Sequence, residues 1–421
     1  MHRLDLLRNH LNSALTGVNV FENVKEAPAD PVFGVNDAFK KETNPKKVNL
    51  VVGAYRDDAG KPYLFRIVRK VEKEIYDDPA ENKEYASMTG IEEFNVGTQK
   101  MLFGPDSTVV KEKRVASVQC LSGTGSLRLI CDFLLRHNVT KKVLYQSDPT
   151  WANHPHIFES AGFTVKKYRY YKEATLAIDF EGFIADLKTM EPGAAVLLHA
   201  CAHNPTGVDP TKEEWAQVLK VVQERGLFPF FDSAYQGYAT GDIENDAYPV
   251  RLFANAGVDL VVAQSFAKNM GLYGERAGAV HVTCQDSKTA AKVKGVLGRL
   301  VRAIYSNPPI HGGKIVARIL NSPDNYKAWA EELKEVSERI IKMRHALRSE
   351  LERLGTPGTW NHITDQIGMF SYTGLKKDQV LYIRKKHAIY MVGSGRISIA
   401  GLNTKNVGYV AAAIKDTVQN S

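Results

Sequence analysis

The sequence predicts an α/β protein, with a large domain built on a mainly parallel seven-stranded sheet flanked by helices and a smaller α+β domain. Three observations carry this reading. From about residue 115, short β-branched runs alternate with helix-like stretches. The runs are apolar almost throughout rather than alternately apolar and polar, as expected for strands covered on both faces. After Asn325 a single amphipathic stretch continues without Gly or Pro for long enough to connect two bodies.

Taken in chain order, residues 1–19 stand apart. They carry Arg3 and Arg8, one acid, and Leu4, Leu7, Leu11 and Leu15 on one helical face. A short, acid-poor, arginine-bearing amphipathic leader suits mitochondrial import and a matrix location. The alternative is a helix that docks on the body of a cytoplasmic protein.

The candidate strands are Val115–Cys120, Lys142–Gln146, Thr164–Tyr168, Ala195–Ala200, Phe228–Asp232, Leu260–Gln264 and Gly278–Thr283. Helical patterns lie between them, among them Ser126–Asn138 and Lys212–Arg225. In open parallel sheets ligands bind beyond the carboxyl ends of the strands, and the polar residues of interest sit there. Further on, Trp329, Leu333, Val336, Ile340, Met343, Leu347, Leu351 and Leu354 recur at helical spacing until Gly355-Thr-Pro-Gly358 stops them. At 1.5 Å per residue this helix spans roughly 40 Å. Gly368–Tyr372 and Arg396–Ala400 are strand candidates in the tail.

Composition narrows the classes. With 421 residues, 44% apolar and 24% charged, the chain has the make-up of a globular protein of two domains. No apolar run approaches a membrane span. The formal charge of +8 is spread among acids and comes with no nucleic-acid motif, so neither membrane nor nucleic acid is expected as a partner. Cys120, Cys131, Cys201 and Cys284 form no Cys-x-x-Cys pair and read as reduced core thiols. His154 and His156 lack companion ligands, and no metal is expected.

Lys268 carries the chemistry. It follows the apolar run Val258–Gln264 within Ser265-Phe-Ala-Lys268, and Arg276 comes eight residues later. An amine beside a small anion site suits an aldehyde cofactor held as a Schiff base with its phosphate anchored nearby. Ser122-Gly-Thr-Gly-Ser126, between a strand and a helix, offers Ser122, Gly123 and Thr124 as further phosphate donors at a helix start. The third glycine of a dinucleotide fingerprint is missing, with Arg128 in its place, which disfavours a nicotinamide dehydrogenase.

Other strand ends supply the remaining parts. Asn204 in Asn204-Pro-Thr-Gly207 is a neutral donor, although the turn has an adequate structural explanation. Asp232 ends a very apolar strand, where it either caps the next helix or holds a proton on a pyridine nitrogen. Tyr235 follows three residues later, able to hydrogen-bond a phenolic ring oxygen, and Trp151 offers a flat face for stacking.

The ordered set Val52-Gly-Ala-Tyr-Arg56, Ser122-Gly-Thr-Gly125, Ala202-His-Asn-Pro-Thr-Gly207, Asp232-Ser-Ala-Tyr235, Ser265-Phe-Ala-Lys268, Tyr305-Ser-Asn-Pro-Pro309 and Gly395-Arg-Ile-Ser398 resembles the class I aminotransferases of pyridoxal-phosphate fold type I, and among them the aspartate aminotransferases. The likeness begins near Val20 and covers nearly the whole chain. It implies pyridoxal 5'-phosphate as cofactor and a ping-pong transfer of the amino group from L-aspartate to 2-oxoglutarate, giving oxaloacetate and L-glutamate. By the same resemblance Lys268 carries the imine and the proton, Asp232 pairs with the ring nitrogen, and Tyr235 and Asn204 touch the phenolic oxygen. Trp151 stacks, while Ser122, Gly123, Thr124, Ser265 and Arg276 hold the phosphate. Arg396 grips the α-carboxylate with Gly53 closing over it. Tyr85 and Arg302 reach in from a second subunit, to the phosphate and the distal carboxylate, so the partner is a second copy in a homodimer with shared active sites. The implied domains are 20–61 with 326–421 (small) and 62–325 (large). An aromatic-amino-acid aminotransferase of the same subgroup is the alternative, and a binding protein that kept the fold without activity is a third reading.

Overall fold

The computed structural model describes residues 21, 23–26 and 33–421; residues 1–19 and Val20 lie outside them. The seven strands are β1 (Val115–Leu121), β2 (Val143–Asp148), β3 (Thr164–Arg169), β4 (Ala195–His199), β5 (Phe228–Ser233), β6 (Val261–Ser265) and β7 (Ala277–Thr283). They form one sheet in the order β1-β7-β6-β5-β4-β2-β3. β7 runs antiparallel to both of its neighbours, and the other pairs are parallel. Six strands therefore deliver their carboxyl ends to one edge.

The near-continuous apolar strands follow from burial on both faces. In β4, Ala195 and Leu197 face a core shared with the helices Ser122–Arg136 and Ser287–Tyr305, whereas Val196 and Leu198 face one shared with Phe180–Thr189 and Lys212–Arg225. Phe230 and Phe231 in β5 divide the same way. Every strand expected from sequence is present, with ends shifted by one or two residues. One boundary differs for a local reason. The helix expected from Ser126 starts at Ser122, because Ser122 takes a left-handed φ of 59° and turns the chain at once out of β1 into the helix.

The long helix is Pro323–Arg353, with Ser322 accepting a hydrogen bond from the Asn325 amide (3.3 Å) and Pro323 in the first turn. Its apolar stripe from Trp329 to Leu351 is buried, and the C-terminal helix Val407–Asn420 packs on it. In the tail, Phe370–Tyr372 pairs antiparallel with Arg396–Ser398, Tyr372 opposite Arg396. The expected strand starts two residues late because Gly368 adopts a φ of 76°. Val48–Asn49 pairs in parallel with Ile389–Tyr390, joining the two ends of the chain.

Two contacts fix the long helix to the sheet body. The indole of Trp329 donates to the Asn269 carbonyl (2.7 Å). Glu332 is buried and accepts from the Tyr63 hydroxyl (2.5 Å) and from the amides of Arg66 (2.7 Å) and Ile67 (3.1 Å). The helix Arg66–Asp77 has no cap from its own preceding residue, so Glu332 supplies one from another element, with a charge that suits the positive helix end. Glu332→Ala should unpair all three donors and lower stability by roughly 3 kcal/mol. Denaturant unfolding measures the loss, and a change under about 1 kcal/mol would show that water replaces the carboxylate at little cost.

Candidate active site

A cavity of about 450 Å³ opens at the carboxyl edge of the sheet. The continuations of β1, β2, β4, β5 and β6, Arg276 just before β7, the segment around Gly53 and the tail all line it, and it gathers Gly53, Ser122, Gly123, Thr124, Trp151, Asn204, Asp232, Tyr235, Ser265, Lys268, Arg276 and Arg396. Two of the residues named from sequence lie elsewhere. Tyr85 is 86% exposed, and Arg302 is on the surface, donating to the Ser306 hydroxyl (2.7 Å). A second cavity, of about 490 Å³, has Glu81, Lys314 and Arg318 in its lining, and their charges pair with one another.

One end of the main cavity suits an anion. The hydroxyls of Ser122 and Ser265 lie 2.9 Å apart, and the helix that begins at Ser122 has no side-chain cap over its first amides. Arg276, with a φ of 53°, spends one guanidinium nitrogen on the Tyr273 carbonyl (2.9 Å) and adds positive charge. β7 brings these parts together, since Gly278 stands opposite Cys120 on one side and Ser265 on the other.

The middle carries the titratable groups. Burial alone would raise the Asp232 carboxyl, but the hydrogen bond from His154, with the Lys268 amine nearby, brings it below its usual value. His154 Nε2 lies 3.0 Å from Asp232. Behind it, Thr150 Oγ1 is 2.8 Å from His154 Nδ1 and 3.2 Å from His199 Nε2, and the Asn204 amide donates to His199 Nδ1 (3.2 Å). That amide fixes the direction of the whole chain. His199 Nδ1 must accept, so its Nε2–H points at Thr150, the Thr150 hydroxyl at His154 Nδ1, and His154 Nε2–H at Asp232. Burial holds the His199 pKa down at about 3. Asp232 is therefore not a helix cap; Asp242 caps the next helix.

Sequence reasoning missed this chain. From sequence His154 carries only a metal-ligand reading, and Thr150 precedes the helix that begins at His154, so no periodicity links the two. Trp151 meets His154 edge-on at 5.2 Å and turns to the cavity. Lys268 Nζ sits 4.9 Å above the Tyr235 ring. Burial lowers the lysine pKa and Arg276 lowers it further, against the opposing pull of Asp232. Burial also pushes the Tyr235 phenol up.

At the far end, Arg396 is buried and incompletely paired. It donates to the Val51 carbonyl (2.9 Å) and approaches Asn204 Oδ1 (3.5 Å), its Nε has no partner, and its guanidinium lies 4.1 Å over the Phe370 ring. Gly53 allows this packing, because a Cβ there would come within 2.6 Å of Phe370 Cζ. Phe370 carries no sequence signal beyond its apolar character. The cavity thus combines an anion seat, a desolvated amine, a buried ionised carboxylate and an underpaired guanidinium. These donors and acceptors fit a phosphorylated aldehyde with a basic ring nitrogen, and an amino acid bound beside it.

A model of the aminotransferase class I and II family matches residues 45–414. Aspartate aminotransferase 3, chloroplastic, of Arabidopsis thaliana is 49% identical over 403 residues, covering 96% of this chain and 90% of the relative. The solved aspartate aminotransferase from Saccharomyces cerevisiae cytoplasm superposes with a TM-score of 0.92 at 43% identity, over 95% of this chain and 98% of the other. The aromatic-amino-acid aminotransferase from Burkholderia pseudomallei, solved covalently bound to pyridoxal phosphate, gives 0.93 at 44%, over 95% and 100%.

The anion seat depends on one absent methyl group. A Cβ on Gly278 would lie 2.5 Å from the Gln264 carbonyl oxygen and 2.6 Å from Ser122 Cα, both backbone atoms that cannot swing aside. Gly278→Ala should push the Ser122 and Ser265 hydroxyls apart and weaken binding of a phosphate-bearing aldehyde roughly 10- to 100-fold, the equivalent of a core overpacking. An absorbance titration measures this, with the same aldehyde lacking phosphate as the control that should barely change.

Proposed function

The chain belongs to the class I and II aminotransferases, and on that basis we propose that it is a pyridoxal-phosphate-dependent aspartate aminotransferase. It transfers the amino group of L-aspartate to 2-oxoglutarate in two half-reactions, giving oxaloacetate and L-glutamate. The observation that carries the proposal is the joint presence in one cavity of the desolvated Lys268 amine and the incompletely paired Arg396 guanidinium.

When bound, pyridoxal phosphate supplies an aldehyde that condenses with amines and a ring that accepts the electron pair released at the substrate α-carbon. The chain's own residues do the rest. Ser122, Gly123, Thr124, Ser265 and Arg276 hold the phosphate, and Trp151 covers one ring face. Asp232, kept ionised by the His154 relay, holds a proton on the pyridine nitrogen. Tyr235 and Asn204 donate to the phenolic oxygen. Lys268 Nζ anchors the aldehyde and moves the proton off the substrate α-carbon; its lowered pKa raises the share of neutral amine that can act as base. Arg396 takes the α-carboxylate in its fork, beneath the segment that carries Gly53.

Tyr85 and Arg302 belong to the neighbouring copy's cavity in this reading. Their exposure on this chain, away from its own cavity, supports a homodimer with shared sites, and so does the apolar Ile304 exposed near Arg302. The same reading divides each copy into a small domain, 20–61 with 326–421, and a large domain, 62–325. No helix among the described residues is long and apolar enough to cross a membrane. For residues 1–19 we propose a mitochondrial import role, on the leucine face and the two arginines. A reporter fused to this segment should enter the matrix; a reporter left in the cytosol would return the segment to the mature protein.

The second reading is an aromatic-amino-acid aminotransferase, which the Burkholderia pseudomallei relative favours. The two separate on kcat/KM for aspartate against phenylalanine. Arg302→Ala should lower that ratio roughly 100-fold, because a desolvated distal carboxylate loses its partner while a phenyl ring loses little. Arg302→Asp should lower it further by repulsion. A ratio that stays constant across wild type and both variants would make Arg302 a surface charge and remove the dicarboxylate preference.

A further inference from the structure

One buried cation has no part in the chemistry above. Arg344 lies in the C-terminal third of the long helix, 2% exposed, and among the described residues no carboxylate pairs with it. Its guanidinium donates to the carbonyls of Ile363 (2.8 Å), Gly368 (2.8 Å) and Phe370, and its Nε is buried without a partner. Burial brings its pKa down to about 9, the expected cost of holding a cation on neutral dipoles alone. An apolar side chain would fill such a helix position at lower cost.

The three carbonyls belong to one short segment. It turns at Gly368, enters the strand Phe370–Tyr372 and pairs with the strand that carries Arg396. The segment's amides are committed elsewhere: Ile367 donates to the Gly207 carbonyl (2.7 Å), and Tyr372 to Gln366 Oε1 (2.9 Å), which also takes the Ser371 hydroxyl (2.7 Å). Its carbonyls converge on a single interior point, where their dipoles repel one another unless a multidentate donor sits there. Phe370, the last of the three, is the ring beneath the Arg396 guanidinium.

We propose that Arg344 is a positioning residue for the α-carboxylate site: by clamping three carbonyls of the 363–370 segment it sets the Phe370 ring and the strand register that aim Arg396 into the cavity. The inference rests on Arg396 as the α-carboxylate ligand. Lysine replaces Arg344 only in part, since one ammonium does not span three acceptors held in the geometry of a planar fork. A shift of the carboxylate site by about an ångström is enough to cost two orders of magnitude in rate.

The test uses the holoenzymes of wild type, Arg344→Met, Arg344→Lys and Arg396→Lys. Three quantities are compared: the Kd of succinate read from cofactor absorbance, the KM for aspartate and for 2-oxoglutarate, and the rate of cofactor reaction with hydroxylamine, a nucleophile without a carboxylate. Arg344→Met should raise the succinate Kd and both KM values about tenfold or more, with Arg344→Lys in between, while the hydroxylamine rate stays within about twofold. Unchanged succinate binding in both Arg344 variants overturns the proposal. So does a loss in which hydroxylamine reactivity falls in parallel, since that marks general collapse. If the methionine variant does not fold, the lysine variant carries the same comparison, and wild-type behaviour there also overturns it. Arg396→Lys separates the two levels: unchanged succinate binding in that variant would refute the carboxylate reading itself, and the proposal with it.

Discussion

A charge taken out of water must find partners or give up the charge, and this constraint organises the protein around its cavity. Four of the charged side chains in the cavity or its frame are each settled differently. Asp232 keeps its charge through a one-way chain of hydrogen bonds that ends on a backbone amide. Lys268 is pushed towards neutrality by burial and the charge of Arg276. Arg396 keeps its charge but not a full set of acceptors, and Arg344 keeps its charge on peptide carbonyls alone. A site whose groups were all satisfied internally would have little affinity left for a zwitterionic substrate.

The sheet makes these arrangements possible by geometry. Its parallel strands end together, so residues at or just beyond five strand ends meet without long loops. The reversed strand β7 has a separate role. It threads between β1 and β6 and holds their last residues side by side, close enough that only glycine fits at its second position.

How much of this was legible in the sequence differed by kind of residue. Strand identity was legible because burial on both faces leaves apolar runs, and the long helix because its stripe recurs without a break. Lys268, Asp232 and the small-residue turn at Ser122 were legible because charged or flexible residues at the ends of apolar runs are conspicuous. Thr150, His154 and His199 were not, since nothing in their spacing says that a threonine and two histidines on separate segments face one another. Phe370 and Arg344 were hidden for a related reason: a core phenylalanine and a helical arginine look ordinary until the tertiary fold places them beneath Arg396 and among three carbonyls. The Ser122 boundary was misplaced because a left-handed serine is set by its surroundings and not by its own preference.

The hydrogen bond from Arg396 to the Val51 carbonyl closes a loop of 345 residues, and the short ladder between Val48–Asn49 and Ile389–Tyr390 closes one of similar size. Such contacts form late, because a long separation must be bridged before they return any stability. During synthesis the entire sheet leaves the ribosome before Arg396 and its strand. A nascent chain whose sheet has emerged therefore still lacks the strand that carries Arg396, and the segment around Val51 is without its partner. Over that interval apolar surface meant for the tail stays open to water, which is the period when a chaperone has most to do.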